Sequence, residues 1–251
     1  MKKLIFILLV GLTITTQAQT ASSYEDALKL KSESKFQEAF PMFQKLLKSD
    51  SSNVNYLHQT SFLYSKLGVS QKTEAEKLKW YKTGEYLAQK AIRLDDKSAG
   101  AHYAYALSLG RLNENASSKT KIANSKLIKA EAEKAIALNP KEAGPYHIMG
   151  RWHRVIAGFN AMERVMINAF FGGVPIGGTY EDAIKFFNQA IALEPNYALH
   201  QYEMAMTYYE RDSGNDKVYA KVWCEKALKC PVLNDDDKET VRKCNELIKK
   251  L

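Results

Sequence analysis

The chain has 251 residues, with 36 Lys+Arg against 28 Asp+Glu, a net charge of +8, and 45% hydrophobic residues. No apolar run beyond the N-terminus reaches the ~20 residues that a membrane-spanning helix needs. The positive excess is mild: it suits anionic partners such as acidic lipid or an acidic peptide, and equally an ordinary soluble surface.

In chain order, Lys2 and Lys3 form a basic segment, Leu4 to Leu12 an apolar one, and Thr16-Gln17-Ala18 a short polar stretch ending in a small residue. This is the layout of a cleavable signal peptide, expected over residues 1–18 with cleavage after Ala18. No Cys lies there to carry a lipoprotein anchor. The expected product is exported, periplasmic or secreted, with no transmembrane segment. No nucleic-acid partner is expected in that compartment. Loss of Lys2 and Lys3 leaves 34 basic against 28 acidic side chains, a charge of +6.

The remaining residues 19–251 read as helix nearly throughout, because Ala, Leu, Lys and Glu dominate and Pro is scarce. The segments AEAEKAIALNP, FFNQAIALEP, LAQKAIRLDD and WCEKALKCP superpose, placing Ala135, Ala190, Ala91 and Ala227 at one shared small position. Pro140 and Pro195 end two of these helices. Upstream of each lies a second helix with its own small residue: Ser61, Ala106, Gly150 and Ala205. Small residues in both helices are what close antiparallel packing of a helical hairpin requires. The expected fold is therefore all-α, a tetratricopeptide-type solenoid forming a single repeat domain. Its hairpins fall at about 23–50, 53–96, 98–140, 142–195 and 197–231, and a capping helix follows at 235–251. Ala39 and Phe43 lie in the second helix of the first unit.

The spacing between paired small positions shows long intra-hairpin inserts in the second, third and fourth units, each expected in the turn between the two helices. The largest, residues 157–179, reads AGFNAMERVMINAFFGGVPIGGT. Phe159, Met162, Val165, Met166 and Phe170 recur at helical spacing, and Phe171 precedes Gly172-Gly173, which should end the helix. Two placements are open: the segment extends the core, or it forms a lid over an apolar pocket or a membrane-touching element. Near the C-terminus, Cys244 could pair with Cys224 or Cys230, or all three could be buried thiols.

Chemistry-bearing constellations are few. GGVPIGG lacks the Lys-Ser/Thr of a phosphate loop. His147 and His153 point apart on one helix, so no metal site is expected. Asp235-Asp236-Asp237 reads as a helix N-cap cluster rather than a calcium loop. Neither a catalytic residue nor a cofactor is expected. What remains is a groove: superposed first helices place His58, Tyr103, His147 and Tyr202 at one position. Phe62, Leu107, Arg151 and Met206 follow four residues on, on the same face. With Arg154 and Tyr209 one turn further, these are the candidate concave lining. Two arginines among aromatic rings suit a ligand with an acidic end, although Glu163 could occupy them as an internal partner.

From AHYAYALSLGRL through KAIALNP and PYHIMGRWHRVI to ERVMINAFFGGVP and TYEDAIKFFNQAIALEPN, the chain resembles the helical-repeat domain of the regulator of microtubule dynamics family. Gly150-Arg151-Trp152, Glu163, Phe171, Pro175 and Thr179 carry that resemblance over roughly residues 80–196. It implies a non-enzymatic interaction module, with phospholipid binding in some animal members. The expected function is a protein or peptide scaffold working through its concave face. The alternative is an envelope lipid-binding protein, with its pocket under residues 157–179 and Arg151 near the head group.

Overall fold

The computed structural model describes residues 23–251, and they are helical apart from turns and connecting loops. The expected segment 1–18 lies outside the described residues. The helices are α1 (residues 23–32), α2 (Phe36–Ser49), α3 (Val54–Leu67), α4 (Glu74–Leu94), α5 (Ala99–Asn113) and α6 (Ser118–Leu138). They continue with α7 (Ala143–Ala157), α8 (Ala161–Phe170), α9 (Tyr180–Leu193), α10 (Ala198–Arg211), α11 (Asp216–Ala227) and α12 (Asp235–Ile248). Short polar side chains start many of them. Thr73 and Glu76, Asn160 and Glu163, and Asn234 and Asp237 each form a reciprocal capping box, while Asn53, Ser98, Ser117 and Thr179 accept from first-turn amides.

Pairs α3/α4, α5/α6, α7/α9 and α10/α11 stack in order after α1 and α2, which meet through Ala27, Ala39 and Phe43, and α12 closes the array against α10 and α11. Their contacts are made at the small positions. Ser61, Ala106, Gly150 and Ala205 are fully covered, as are Ala91, Ala135, Ala190 and Ala227 in the second helices. A Cβ on Gly150 would lie 2.7 Å from the Phe187 ring, so α7 and α9 approach too closely for a larger residue. Ser61 Oγ donates to the Gly84 carbonyl at 2.7 Å, and the Ser65 and Ser108 hydroxyls bond at 2.8 Å, satisfying buried polar groups between α3, α4 and α5. Phe43 and Phe187 are completely buried, and burial of such a ring contributes about 1.5–3 kcal/mol.

The inserts depart from the expectation that each projects from a turn. In the second and third hairpins the extra residues lengthen the second helix: α4 and α6 have 21 residues each, against 14 in α2 and α9. Thr73 and Ser117 cap these helices early, and the following residues are rich in Ala, Lys and Glu, which favour helix. The second hairpin also keeps a short 3-10 turn, Gly68–Ser70, before α4, and only the fourth gives its insert a separate α-helix, α8. That helix ends where Phe171 and Gly173 both donate to the Ile167 carbonyl, with Gly172 at φ 78° and Gly173 at φ 90°.

Candidate functional site: the concave face

The first helices of successive hairpins build a ladder along one face. The His58 ring lies over Gly100 of α5, where a Cβ would approach to 2.5 Å. Tyr103 lies over Gly144 of α7 in the same way, with a Cβ approach of 2.1 Å. His147 Nδ1 meets His200 Nδ1 at 2.8 Å, and His200 Nε2 meets Glu194 at 3.2 Å. Each ring thus rests on the next first helix. Burial and then Lys31 push His58 down to about 4, and burial with the neighbouring His200 holds His147 well below the ordinary histidine value.

The second row divides. Phe62 packs with Phe36 and Tyr103 at centroid distances of 5.9 Å each, with Leu107 beside them. Tyr202, Met206 and Tyr209 instead pack against Cys224, Cys244 and Leu247, under α11 and the capping helix. The structure therefore joins Phe62, Tyr103 and Leu107 in one cluster, sets the His58 and His147 rings against the next first helix, and assigns Tyr202, Met206 and Tyr209 to the end of the stack.

Arg151 and Arg154 have a partner other than Glu163. The Glu163 carboxylate accepts from the Asn160 amide at 2.8 Å and is committed to capping α8. Arg154 is buried and donates through Nη2 to Glu203 at 2.5 Å and through Nη1 to Glu210, both on α10. Arg151 is the exposed member, with Nε 3.5 Å from Glu203. Burial disfavours the Glu203 carboxylate, but Arg154 and Arg151 outweigh it and hold its pKa below the usual glutamate value. Arg154 is thus a structural staple between the fourth and fifth hairpins, while Arg151 stays exposed beside it.

The groove contains residues that the repeat alignment had not singled out. Lys31 Nζ donates to Gln59 Oε1 at 2.8 Å and sits 4.3 Å from the Phe62 centroid. Lys66 Nζ donates to the Tyr197 hydroxyl at 2.8 Å and pairs with Asp236 at 3.0 Å, joining α3 to the start of α10 and to α12. Lys66 and Arg111 stand one turn beyond Phe62 and Leu107, so extending the aligned stripe by four residues would have found both. Burial opposes the Lys66 ammonium, yet Tyr197 and Asp236 hold its pKa above the usual lysine value. Lys31 is lowered by burial, against the opposing pull of Glu142 and Glu194 across the groove. Burial, then those two carboxylates, raise the Tyr103 phenol well above its ordinary range. Aromatic surface, cations and carboxylates thus lie close together along the first helices.

The α8 insert stands beside this face. Phe159 and Val174 pack against Leu109, Ile128, Trp152 and Ile156, and Ile167 is buried. Arg164 donates to the Ile156 and Phe159 carbonyls at 2.7 and 3.0 Å, tying the base of α8 to the end of α7. Of the six lid candidates, Phe159 and Phe171 are half-buried, while Met162, Val165, Met166 and Phe170 are exposed. At the C-terminus all three cysteines are free thiols; Cys224 and Cys244 are buried in one cluster, and Cys230 Sγ donates to the Lys226 carbonyl at 3.7 Å. Among the described residues no cluster of His, Cys, Asp and Glu has the grouping to hold a metal ion, and no helix is long and apolar enough to cross a membrane.

Known proteins share this architecture. The chain is similar to a thermophilic TPR protein from Thermus thermophilus, with a TM-score of 0.63, 13% identity, and coverage of 91% of this chain and 98% of that one. It is also similar to PilW, a widely conserved type IV pilus biogenesis factor, with a TM-score of 0.54, 16% identity, and coverage of 92% and 86%. Both likenesses concern the fold. By sequence, it is 33% identical to regulator of microtubule dynamics protein 1 of Bos taurus over 177 residues, 70% of this chain and 54% of that protein. It is 25% identical to regulator of microtubule dynamics protein 3 of Rattus norvegicus over 222 residues, 88% of this chain and 46% of that protein. The chain thus spans about half the length of these relatives. Because the family described as Regulator of microtubule dynamics protein 1-3 matches residues 22–251, this all-helical, tetratricopeptide-like chain belongs to that family.

Proposed function

We propose that the protein is a non-enzymatic interaction scaffold that receives a peptide or protein segment on its concave face. The observation that carries this reading is the direct contact of Lys31, Phe62 and Tyr103 across successive hairpins, with Arg111, His147 and Arg151 on the first helices that follow. An aromatic floor flanked by fixed charges of both signs suits an extended segment that presents apolar and charged side chains in turn. The test is a peptide array probed with the full chain and with Arg151→Glu and Lys31→Glu variants. Lys31 lies over the Phe62 ring, and Arg151 is 45% exposed. Binding of particular segments that is lost in both variants at unchanged melting temperature supports the scaffold. An identical binding pattern in all three proteins places recognition elsewhere.

The lipid reading requires an apolar cavity roofed by the insert. The insert sets Phe159 and Ile167 on the core and turns Met162, Val165, Met166 and Phe170 outward, which favours the scaffold. Export rests on residues 1–18 alone. It is tested by N-terminal sequencing of the protein from its own cells: a chain starting at Gln19 supports export, and one retaining Lys2 and Lys3 contradicts it.

A further inference from the structure

Three consecutive aspartates open α12, and the structure gives them different partners. Asp235 pairs with Lys238 one turn on, at 2.9 Å. Asp237 closes the capping box with Asn234. Asp236 serves neither local purpose with its side chain; it reaches across the groove to Lys66 Nζ at 3.0 Å, where the Tyr197 hydroxyl completes the contact at 2.8 Å. Lys66 is 8% exposed and Asp236 21% exposed, so the cation is the buried half of the pair and the carboxylate the accessible half. Arg111 occupies the repeat position equivalent to Lys66 on the next first helix, where Glu114 and then Asp236 favour its charged form against burial. Its Nη1 pairs with Glu114 at 3.1 Å, while its Nε is buried with no hydrogen-bond acceptor among the described residues. Of the two cations at this repeat position, Lys66 is buried and pairs with a long-range carboxylate, while Arg111 is half-buried and keeps one buried guanidinium nitrogen unsatisfied.

We infer that Asp236 is an internal stand-in for an acidic side chain of a bound peptide, and that Lys66, Arg111 and Tyr197 form the acceptor for that side chain. The inference rests on the scaffold reading and specifies its partner: an extended segment whose Asp or Glu enters the groove beside Phe62 and Tyr103. Charge complementarity selects the occupant. The acceptor is cationic and deep, it already holds a carboxylate, and Arg111 has capacity for a further acceptor atom. The occupant must displace Asp236, so the N-terminal turn of α12 acts as a competitor for the site.

The test uses a BODIPY-labelled, C-terminally amidated peptide copying residues 231–240, which contains the three aspartates and Glu239, and a matched peptide with asparagine and glutamine in their place. Amidation and an uncharged label leave side-chain carboxylates as the only acidic groups. Anisotropy is measured with the full chain as wild type, Asp236→Asn, and Asp236→Asn combined with Lys66→Met. We expect the acidic peptide to bind the Asp236→Asn protein about tenfold more tightly than wild type, and the gain to vanish with Lys66→Met or with the neutral peptide. No gain, a gain that survives Lys66→Met, or an equal gain for the neutral peptide overturns the inference. Uptake of anionic phospholipid from vesicles by the Asp236→Asn protein, dependent on Lys66 and without peptide binding, also overturns it. Should a variant fail to fold, hydrogen exchange on wild type answers the same question: saturating acidic peptide should speed exchange at amides 235–240, and unchanged exchange refutes the competition. Neutral segments bound on the array would leave the scaffold standing while this inference fails.

Discussion

Arg154→Ala should be among the most damaging single substitutions in the fourth hairpin. The arginine is 8% exposed and Glu203 6% exposed, and the pair meets at 2.5 Å with Glu210 as the second acceptor. Truncation leaves the Glu203 carboxylate buried, with only Arg151 Nε at 3.5 Å as replacement. Removing one member of a buried ion pair costs about 3–5 kcal/mol, and the partial cover from Arg151 places this case near the lower end. For a domain of this size each kcal/mol shifts the midpoint by about 2–4 °C, so the variant should melt about 6–12 °C below wild type by circular dichroism at 222 nm. The pair contributes stability above the unfolded glutamate value of 4.5 and loses it as pH falls through the depressed folded value. The gap between wild type and variant should therefore narrow in acid. A variant melting within about 2 °C of wild type at neutral pH would refute the staple and return Arg154 to the candidate ligand-binding residues.

Gly150→Ala should cost about 1–3 kcal/mol in urea unfolding, because the added Cβ would lie 2.7 Å from the Phe187 ring; an unchanged midpoint would show that α7 and α9 can separate freely. His58, held at about 4, favours the folded state above the unfolded histidine value near 6.5, and that contribution should fall away between pH 6.5 and 4. His58→Gln should accordingly flatten the dependence of melting temperature on pH over this window, and an identical slope would count against a buried neutral imidazole. On α8, Ile167→Ala should destabilise by about 2 kcal/mol, whereas Met162→Ser and Phe170→Ser should stay within about 0.5 kcal/mol. Equal losses at all three positions would mean that the outward face is covered. Mild oxidation should join Cys224 to Cys244 and leave Cys230 open to alkylation, which mass spectrometry of the tryptic peptides reads directly.

The hairpin stack was legible because close helix packing demands small residues at fixed spacing, and Ser61, Ala106, Gly150 and Ala205 meet that demand in plain view. The lengths of α4 and α6 were not, since a capped, Ala- and Lys-rich stretch can be loop insert or extra helix until the tertiary contacts decide. The groove was half legible. His58, Phe62, Tyr103 and His147 follow from superposing the first helices, and Lys66 and Arg111 lie one turn along the same stripe. Asp236 and Tyr197 could not be read this way, because they reach Lys66 from 170 and 131 residues away. Glu163 illustrates the opposite error: it was near Arg154 in sequence but was claimed by the start of α8, leaving α10 to supply the partners.

The Lys66–Tyr197 contact also bears on how the array comes apart. A linear stack of repeats is held by neighbour-to-neighbour interfaces and can fray from either end, losing units one at a time. A bond spanning 131 residues turns that ladder into a closed circuit, so detaching the fifth hairpin also removes a partner from the second. Closing a loop of this length in an unfolded chain costs on the order of 4 kcal/mol of entropy, which the intervening stack has already offset before the contact forms. The contact should consequently form late in folding and break early, yet while closed it couples the two ends into one cooperative unit. Amides at the end of α3 and at the start of α10 should then exchange together, as the two sides of a single opening event.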